Sequence, residues 1–459
     1  MDLLIKNGVI VNSNGRYQGD VAVKSGKIAA VGLNITPEAG TEVVDASGLL
    51  VLPGGMDVHT HLELPVPNTT SADDFFSGTR AAACGGVTTI IDFVGQGKGE
   101  KFLDAIKARN DLAAPKVCID YGFHLAITDL TDTALDEMAD AVDMGVTSFK
   151  VFMTYAFGIT DGVFYKVLRR SKEVGALVLV HAENHDCLEI LKTEYIAAGK
   201  TDAWHHYLSR PEFVEAEADI RAIELAKSVG APLYIVHLAC EGGMKAVEKA
   251  RRKGYPIFAE TCPQYLNFTC DVYKRPDARN FVCSPPIKAQ KSQDAIWNGI
   301  KNGNIVTVAT DHCPFQSHEK DWGKDNFTKI PNGVMGIENN YPYMLSEANK
   351  GRITFERAVE LCATNPARLF GAAPAKGVIA PGSDADIVLY DTAKDFTISQ
   401  KNMHSTVDYT IWEGVQLKGY PVRTYSRGAL VYKDGAFLGK AGHGRFIKRN
   451  QIRQDGPTL

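Results

Sequence analysis

"GVTSFKVFMTY", residues 145–155, decides how the chain is read. It opens at a glycine and continues as a short run rich in Val, Phe and Thr, the composition of a strand buried on both faces. Strands of that kind belong to parallel sheets covered by helices. One residue does not fit: Lys150 lies between Phe149 and Val151, where a buried ammonium has neither solvent nor a carboxylate nearby in sequence.

Working outward, similar runs recur at "VLPGGMDVHTH" (51–61), "VTTIIDFV" (87–94), "VCIDYGFHLAI" (117–127), "ALVLVHAE" (176–183), "PLYIVHLA" (232–239), "YPIFAET" (255–261) and "IVTVATDH" (305–312). Amphipathic segments such as "TDTALDEMADAVDMG" and "GGMKAVEKARRKG" separate them. With "VTSFKVFM" (146–153) that makes eight strands in about 320 residues, which predicts a (β/α)8 TIM barrel within an α/β class fold. The ends differ. Residues 3–55 and 376–442 alternate in short segments joined by Asn-Gly, Ser-Gly and Asp-Gly turns, without a helical period. The expected organisation is a small β-sandwich built from residues 1–51 and 372–459, with the barrel, residues 52–371, inserted between them.

Composition narrows the partners. With 50 basic and 54 acidic residues the net charge is −4, so no basic field attracts nucleic acid or anionic lipid. No run approaches a membrane span, and "DLLIKNGVIVN" after Met1 carries charges and no cleavage site, which argues against a signal peptide. Nine scattered cysteines without a Cys-x-x-Cys pair read as reduced, cytoplasmic thiols. A small-molecule partner is expected.

The polar residues fall where a barrel enzyme needs them. Five of the runs stay apolar until a possible metal ligand appears near the carboxyl end: His59 and His61, Lys150, His181, His237 and Asp311. In a barrel those ends converge on one face. A single strand-end His is more often a hydrogen-bonded structural residue, and a lone Asp often caps a helix. The His-Thr-His pair is stronger evidence, since residues two apart on a strand share a side and can grip one ion. Together they point to a metal site. Lys150 then gains a role: a desolvated, neutral amine can add carbon dioxide to give a carbamate anion, whose two oxygens can bridge two divalent cations. The alternatives are a snorkelling lysine or a Schiff-base nucleophile, and neither accounts for the histidines.

At this point "GGMDVHTHLELP", "TSFKVFMTY", "LVHAENHD", "YIVHLAC", "AETCPQYL", "CSPPIK", "VATDHCPF" and "PNGVMGIEN" occur in the order of the motifs of the dihydropyrimidinase and D-hydantoinase family of cyclic amidohydrolases, which the chain resembles over nearly its whole length. The resemblance implies two Zn2+ ions, His59 and His61 on one, His181 and His237 on the other, Lys150 bridging as N6-carboxylysine, and Asp311 completing the first. It implies opening of 5,6-dihydropyrimidines or 5-substituted hydantoins to N-carbamoyl amino acids by a hydroxide held between the metals, in a homotetramer. Asp311 would serve as base, Tyr155 as oxyanion donor, and Ser284 and Asn332 would offer main-chain contacts to the imide. Read alone, Tyr155 is a packing aromatic and the last two are turn residues.

Within that superfamily, dihydroorotases commonly place an arginine where this chain has Glu63, and a carboxylate there is expected to repel dihydroorotate. Allantoinases are the nearer alternative, with "CPQYL" and the Ser284 and Asn332 motifs favouring the hydantoinase side. Non-catalytic scaffold relatives have lost ligands that are all present here. The loops at 62–74, 93–101 and 153–161 correspond to the family's substrate-gating loops. Leu64, Phe93, Phe152 and Phe157, in or beside them, are candidates for an apolar side pocket around the ring substituent, although aromatics at these positions serve equally well as core.

Overall fold

The computed structural model describes residues 1–131 and 133–452. Eight parallel strands pair in chain order: β1 (Gly55–Thr60), β2 (Val87–Gly95), β3 (Asp120–Ala126), β4 (Ser148–Phe152), β5 (Leu177–His181), β6 (Leu233–Ile235), β7 (Ile257–Thr261) and β8 (Thr307–Val308). Seven lie within the predicted runs, and β2 extends one residue past its run, to Gly95. The segment after β8 returns to β1, where the His61 N–H donates to the His312 carbonyl at 2.9 Å, and the sheet closes into a barrel. Helices such as Ala134–Asp143 and Glu241–Arg252 cover the outside. The lumen is filled by Met56, Val58, Ile91, Phe93, Leu177, Leu179, Tyr234 and Phe258, all buried. It is a packed core with a polar mouth.

The terminal segments form one nine-stranded sheet, largely antiparallel, in which Leu3–Asn12 is the seam. Its first half pairs with Glu42–Asp45 and its second half with Leu50–Pro53, on either side of the irregularity at Asn7 (φ 64°). The predicted strand 51–61 is therefore two strands in two sheets. Leu50–Pro53 pairs with Ile387–Thr397 of the terminal sheet, and β1 begins at Gly55. After Phe437 the chain leaves this sheet and runs under the amino ends of the barrel strands, with Phe446 bridging to Tyr121 and the Ile452 N–H donating to the Gly175 carbonyl at 2.8 Å. No helix among the described residues is long and apolar enough to cross a membrane.

Candidate functional site

Strand alternation brings two of the candidate ligands to the lumen. On β5, Leu177 and Leu179 face the inner core and His181 follows them, while on β4 Phe149 and Val151 face outward and Lys150 inward. The others need a departure from the strand. The register of β1 against β2 slips between Asp57 and Thr60, and within the slip His59 stands on the side of Val58, its ring 5.0 Å from Phe93. His237 (φ 39°) and Asp311 (φ 51°) have left-handed backbones just past β6 and β8. Tyr155 (φ 73°) does the same beyond β4. Non-glycine residues held in that region cluster at working sites.

The side chains form two groups. His59 Nε2 and His61 Nε2 lie 3.1 and 3.0 Å from Asp311 Oδ1, so that two nitrogens and one oxygen converge. Beside them His181 Nδ1 and His237 Nε2 approach to 3.0 Å, and the His59 and His237 rings are 5.4 Å apart. Burial pushes His61, His181 and His237 below the ordinary imidazole range, leaving neutral rings with lone pairs to offer. Asp311 is held well below the usual carboxylate range: burial opposes ionisation, but His59 and His61 outweigh it. Nitrogen and carboxylate donors in this arrangement fit a divalent, zinc-like cation.

Lys150 is 1% exposed. Its amine sits 5.2 Å from the Phe152 ring centroid and 5.4 Å from that of Phe93. Burial pulls it down to about 7, partly offset by the charges of Glu260 and Asp311. A substantial fraction is thus neutral near pH 7, the form that can react with carbon dioxide.

Sequence reasoning missed two carboxylates behind the ligands. Glu260, at the end of β7, is hydrogen-bonded to His59 Nδ1 at 2.7 Å and accepts from the His237 N–H at 3.0 Å and the Tyr234 hydroxyl at 2.8 Å. It fixes the tautomer that leaves His59 Nε2 free for a metal. Burial disfavours the charged imidazole, yet Glu260 and Asp311 raise His59 to about 9. Glu183 plays the same part for His181, at 2.9 Å from Nε2, with Arg210 holding it ionised. A carboxylate two residues past His181, and another closing the seventh strand, were the available signals.

Around this centre, the Tyr155 ring lies 5.2 Å from His181, and burial raises its hydroxyl above the ordinary phenol range, so it remains a donor. Ser284 is buried, its hydroxyl without a partner among the described residues, and Asn332 is exposed. Phe152 and Phe157 pack edge to face at 5.1 Å, with Phe157 45% exposed. Leu64 is half-buried at the base of the hairpin Pro65–Val66/Thr69–Thr70. Phe93 does not line a side pocket: it is 3% exposed and stacks on His61 at 4.8 Å, beneath the ligands. Glu63 needs a further correction. Its carboxylate is engaged by Lys116 at 2.6 Å and the Phe75 N–H at 3.2 Å, so it is already neutralised and is not the group that would repel an anionic substrate.

A barrel with a two-part His/Asp cluster at its carboxyl face defines a metal-dependent hydrolase, and residues 50–431 match the amidohydrolase family. The chain is 44% identical to the D-hydantoinase of Ralstonia pickettii over 99% of its own length and 100% of that protein, and 44% identical to the D-hydantoinase of Geobacillus stearothermophilus over 98% and 97%. The crystal structure of dihydropyrimidinase from Brevibacillus agri superposes with a TM-score of 0.97 at 43% identity, covering 98% of this chain and 99% of that one. The chain belongs to the amidohydrolase family, in its hydantoinase and dihydropyrimidinase branch, whose members are hydrolases of cyclic amides.

Proposed function

We propose that the protein opens the ring of 5,6-dihydropyrimidines or 5-substituted hydantoins, giving N-carbamoyl amino acids, in the cytoplasm and as a homotetramer. The observation that carries the reading is the paired donor sets, His59, His61 and Asp311 beside His181 and His237, next to a buried Lys150 whose amine is near neutrality. Those side chains would hold two Zn2+ ions, with Lys150 adding carbon dioxide and releasing a proton to become the bridging carbamate. Bound there, the pair of cations would supply an activated water and polarise the amide carbonyl.

The chain's own residues do the rest. Asp311, ionised, can accept a proton from the attacking water and deliver it to the departing ring nitrogen as the C–N bond breaks. Tyr155, still protonated, can donate to the oxygen that becomes negative at the carbonyl carbon. The main chain at Ser284 and Asn332 can read the C=O, N–H, C=O edge of the imide, leaving Phe152, Phe157 and Leu64 nearest the ring substituent.

The deciding experiment is a substrate panel of dihydrouracil, 5-phenylhydantoin, allantoin and dihydroorotate, with metal analysis of wild type and Lys150→Ala. The expected result is turnover of one of the first two, about two metals per chain, and loss of both metal and activity in the variant. Turnover of allantoin alone would move the assignment to an allantoinase, and full activity in Lys150→Ala would end the binuclear reading.

A further inference from the structure

Lys320 ends the short helix Ser317–Lys320 and is fully buried, although no carboxylate among the described residues pairs with it. Its ammonium donates to three main-chain carbonyls instead: Val282 at 3.1 Å, Pro331 at 2.6 Å and Gly333 at 2.7 Å. An ammonium has three N–H donors, so each is matched. Burial pulls the amine down to about 7, partly offset by the neighbouring Cys283, Cys313 and Glu319, and a neutral amine would leave one of the three carbonyls unmatched.

These carbonyls flank the two residues assigned to the imide edge. Val282 is two residues before Ser284, while Pro331 and Gly333 bracket Asn332. The segments also touch directly, through the Gly333 N–H and the Val282 carbonyl at 2.9 Å. Gly333 (φ 144°) passes so close to Cys313 that a Cβ would lie 2.1 Å from its carbonyl oxygen. Neighbouring acceptors are consumed too, the Cys283 carbonyl by His206 Nε2 at 2.9 Å and the Pro285 carbonyl by the Tyr265 hydroxyl at 2.8 Å. The Ser284 carbonyl and the Asn332 N–H have no protein partner among the described residues. One acceptor and one donor are thereby left over on two segments joined by the Lys320 ammonium and one backbone hydrogen bond.

We propose that Lys320 is a positioning residue that fixes the separation of segments 282–284 and 331–333 and so sets recognition of the ring imide. The assignment rests on the cyclic-imide reading above. A merely structural lysine would affect stability but would not alter how the enzyme distinguishes an imide N–H from its N-methyl derivative.

The test compares kcat/KM for dihydrouracil and 5-phenylhydantoin with that for their N3-methyl derivatives, in metal-loaded wild type and Lys320→Met, with metal content and Tm measured alongside. The expected result is strong preference for the unmethylated ring in wild type, and a preference reduced by about tenfold or more in the variant at unchanged metal content, mainly through KM. An unchanged preference in folded, metal-replete Lys320→Met overturns the proposal alone. A wild type that opens neither ring overturns the cyclic-imide reading and the clamp with it. If Lys320→Met does not fold, Lys320→Arg decides: a planar guanidinium cannot match three carbonyls gathered around one nitrogen, so the preference falls by about threefold or more, and a wild-type preference overturns the proposal.

Discussion

Lys150 is enclosed by the rings of Phe93 and Phe152, and its low basicity follows from that enclosure. If its working form is a carbamate, recovery of metal-stripped, refolded protein depends on carbon dioxide: activity returns slowly without bicarbonate and faster with it. Equal recovery in degassed buffer would count against the modification. Glu260 makes a separate prediction. It fixes His59 through Nδ1 and the His237 backbone through its N–H. Glu260→Gln should weaken metal binding by about 10- to 100-fold, read by titration against a competing chelator, with the fold retained. The candidate ligands were legible in sequence because each sits near the end of an apolar run. Glu183 had a local cue two residues past His181, but nothing local pairs Glu260 with His59, since only the closed barrel brings β7 against β1.

At the level of elements, the site depends on how strands end. β4 and β5 deliver Lys150 and His181 by simple alternation, whereas His237 and Asp311 require a left-handed residue after β6 and β8. The loop after β1 is anchored by Asp73, just before the helix Phe75–Cys84, which accepts from the Thr406 N–H at 2.9 Å and Ser405 of the terminal segment and lies 3.0 Å from His312 Nε2. Burial alone would raise this carboxyl, but His312, Ser405 and Thr406 outweigh it and hold it well below the usual range. A group depressed in the folded state stabilises above its unfolded pKa, about 3.9, and loses that contribution as pH falls through the folded value. Asp73→Asn should therefore destabilise by about 1–3 kcal/mol, the gap staying flat from pH 5 to 8 and narrowing only below pH 4, as followed by denaturant unfolding. A gap that widened in acid would contradict this account.

For the whole molecule, two features bind the inserted barrel to the terminal sheet. Lys376, 4% exposed, lies 2.6 Å from both Asp120 of β3 and Asp386 of the terminal domain. Beneath the barrel, Arg449 donates to the Ser148 hydroxyl at 3.0 Å and to the Phe123 carbonyl, and the same hydroxyl is hydrogen-bonded to His124 Nδ1 at 2.6 Å. Truncation after Phe437 would remove Arg449 and Ile452, taking a donor from the Phe123 carbonyl and the Ser148 hydroxyl and uncovering the lumen core that Ile452 packs against. It should lower the Tm by at least about 5 °C in a thermal melt while the folded fraction keeps its metal. An unchanged Tm would mean that the tail only lies against the barrel.

The sequence by itself determined the alternation of strand and helix, the two β-rich ends, and the ligand types at the strand ends, because these are local properties of periodicity and spacing. It placed the end of the first sheet wrongly within 51–61, since one apolar run can serve two sheets when Gly54 and Gly55 let the chain change partners. Phe93 read equally well as pocket or core, and only packing against His61 decided between them. Glu63 read as a charge facing the site until Lys116 was seen to hold it. Lys320 gave no local sign, because its three acceptors come from segments 38, 11 and 13 residues away in sequence and meet only when the barrel closes.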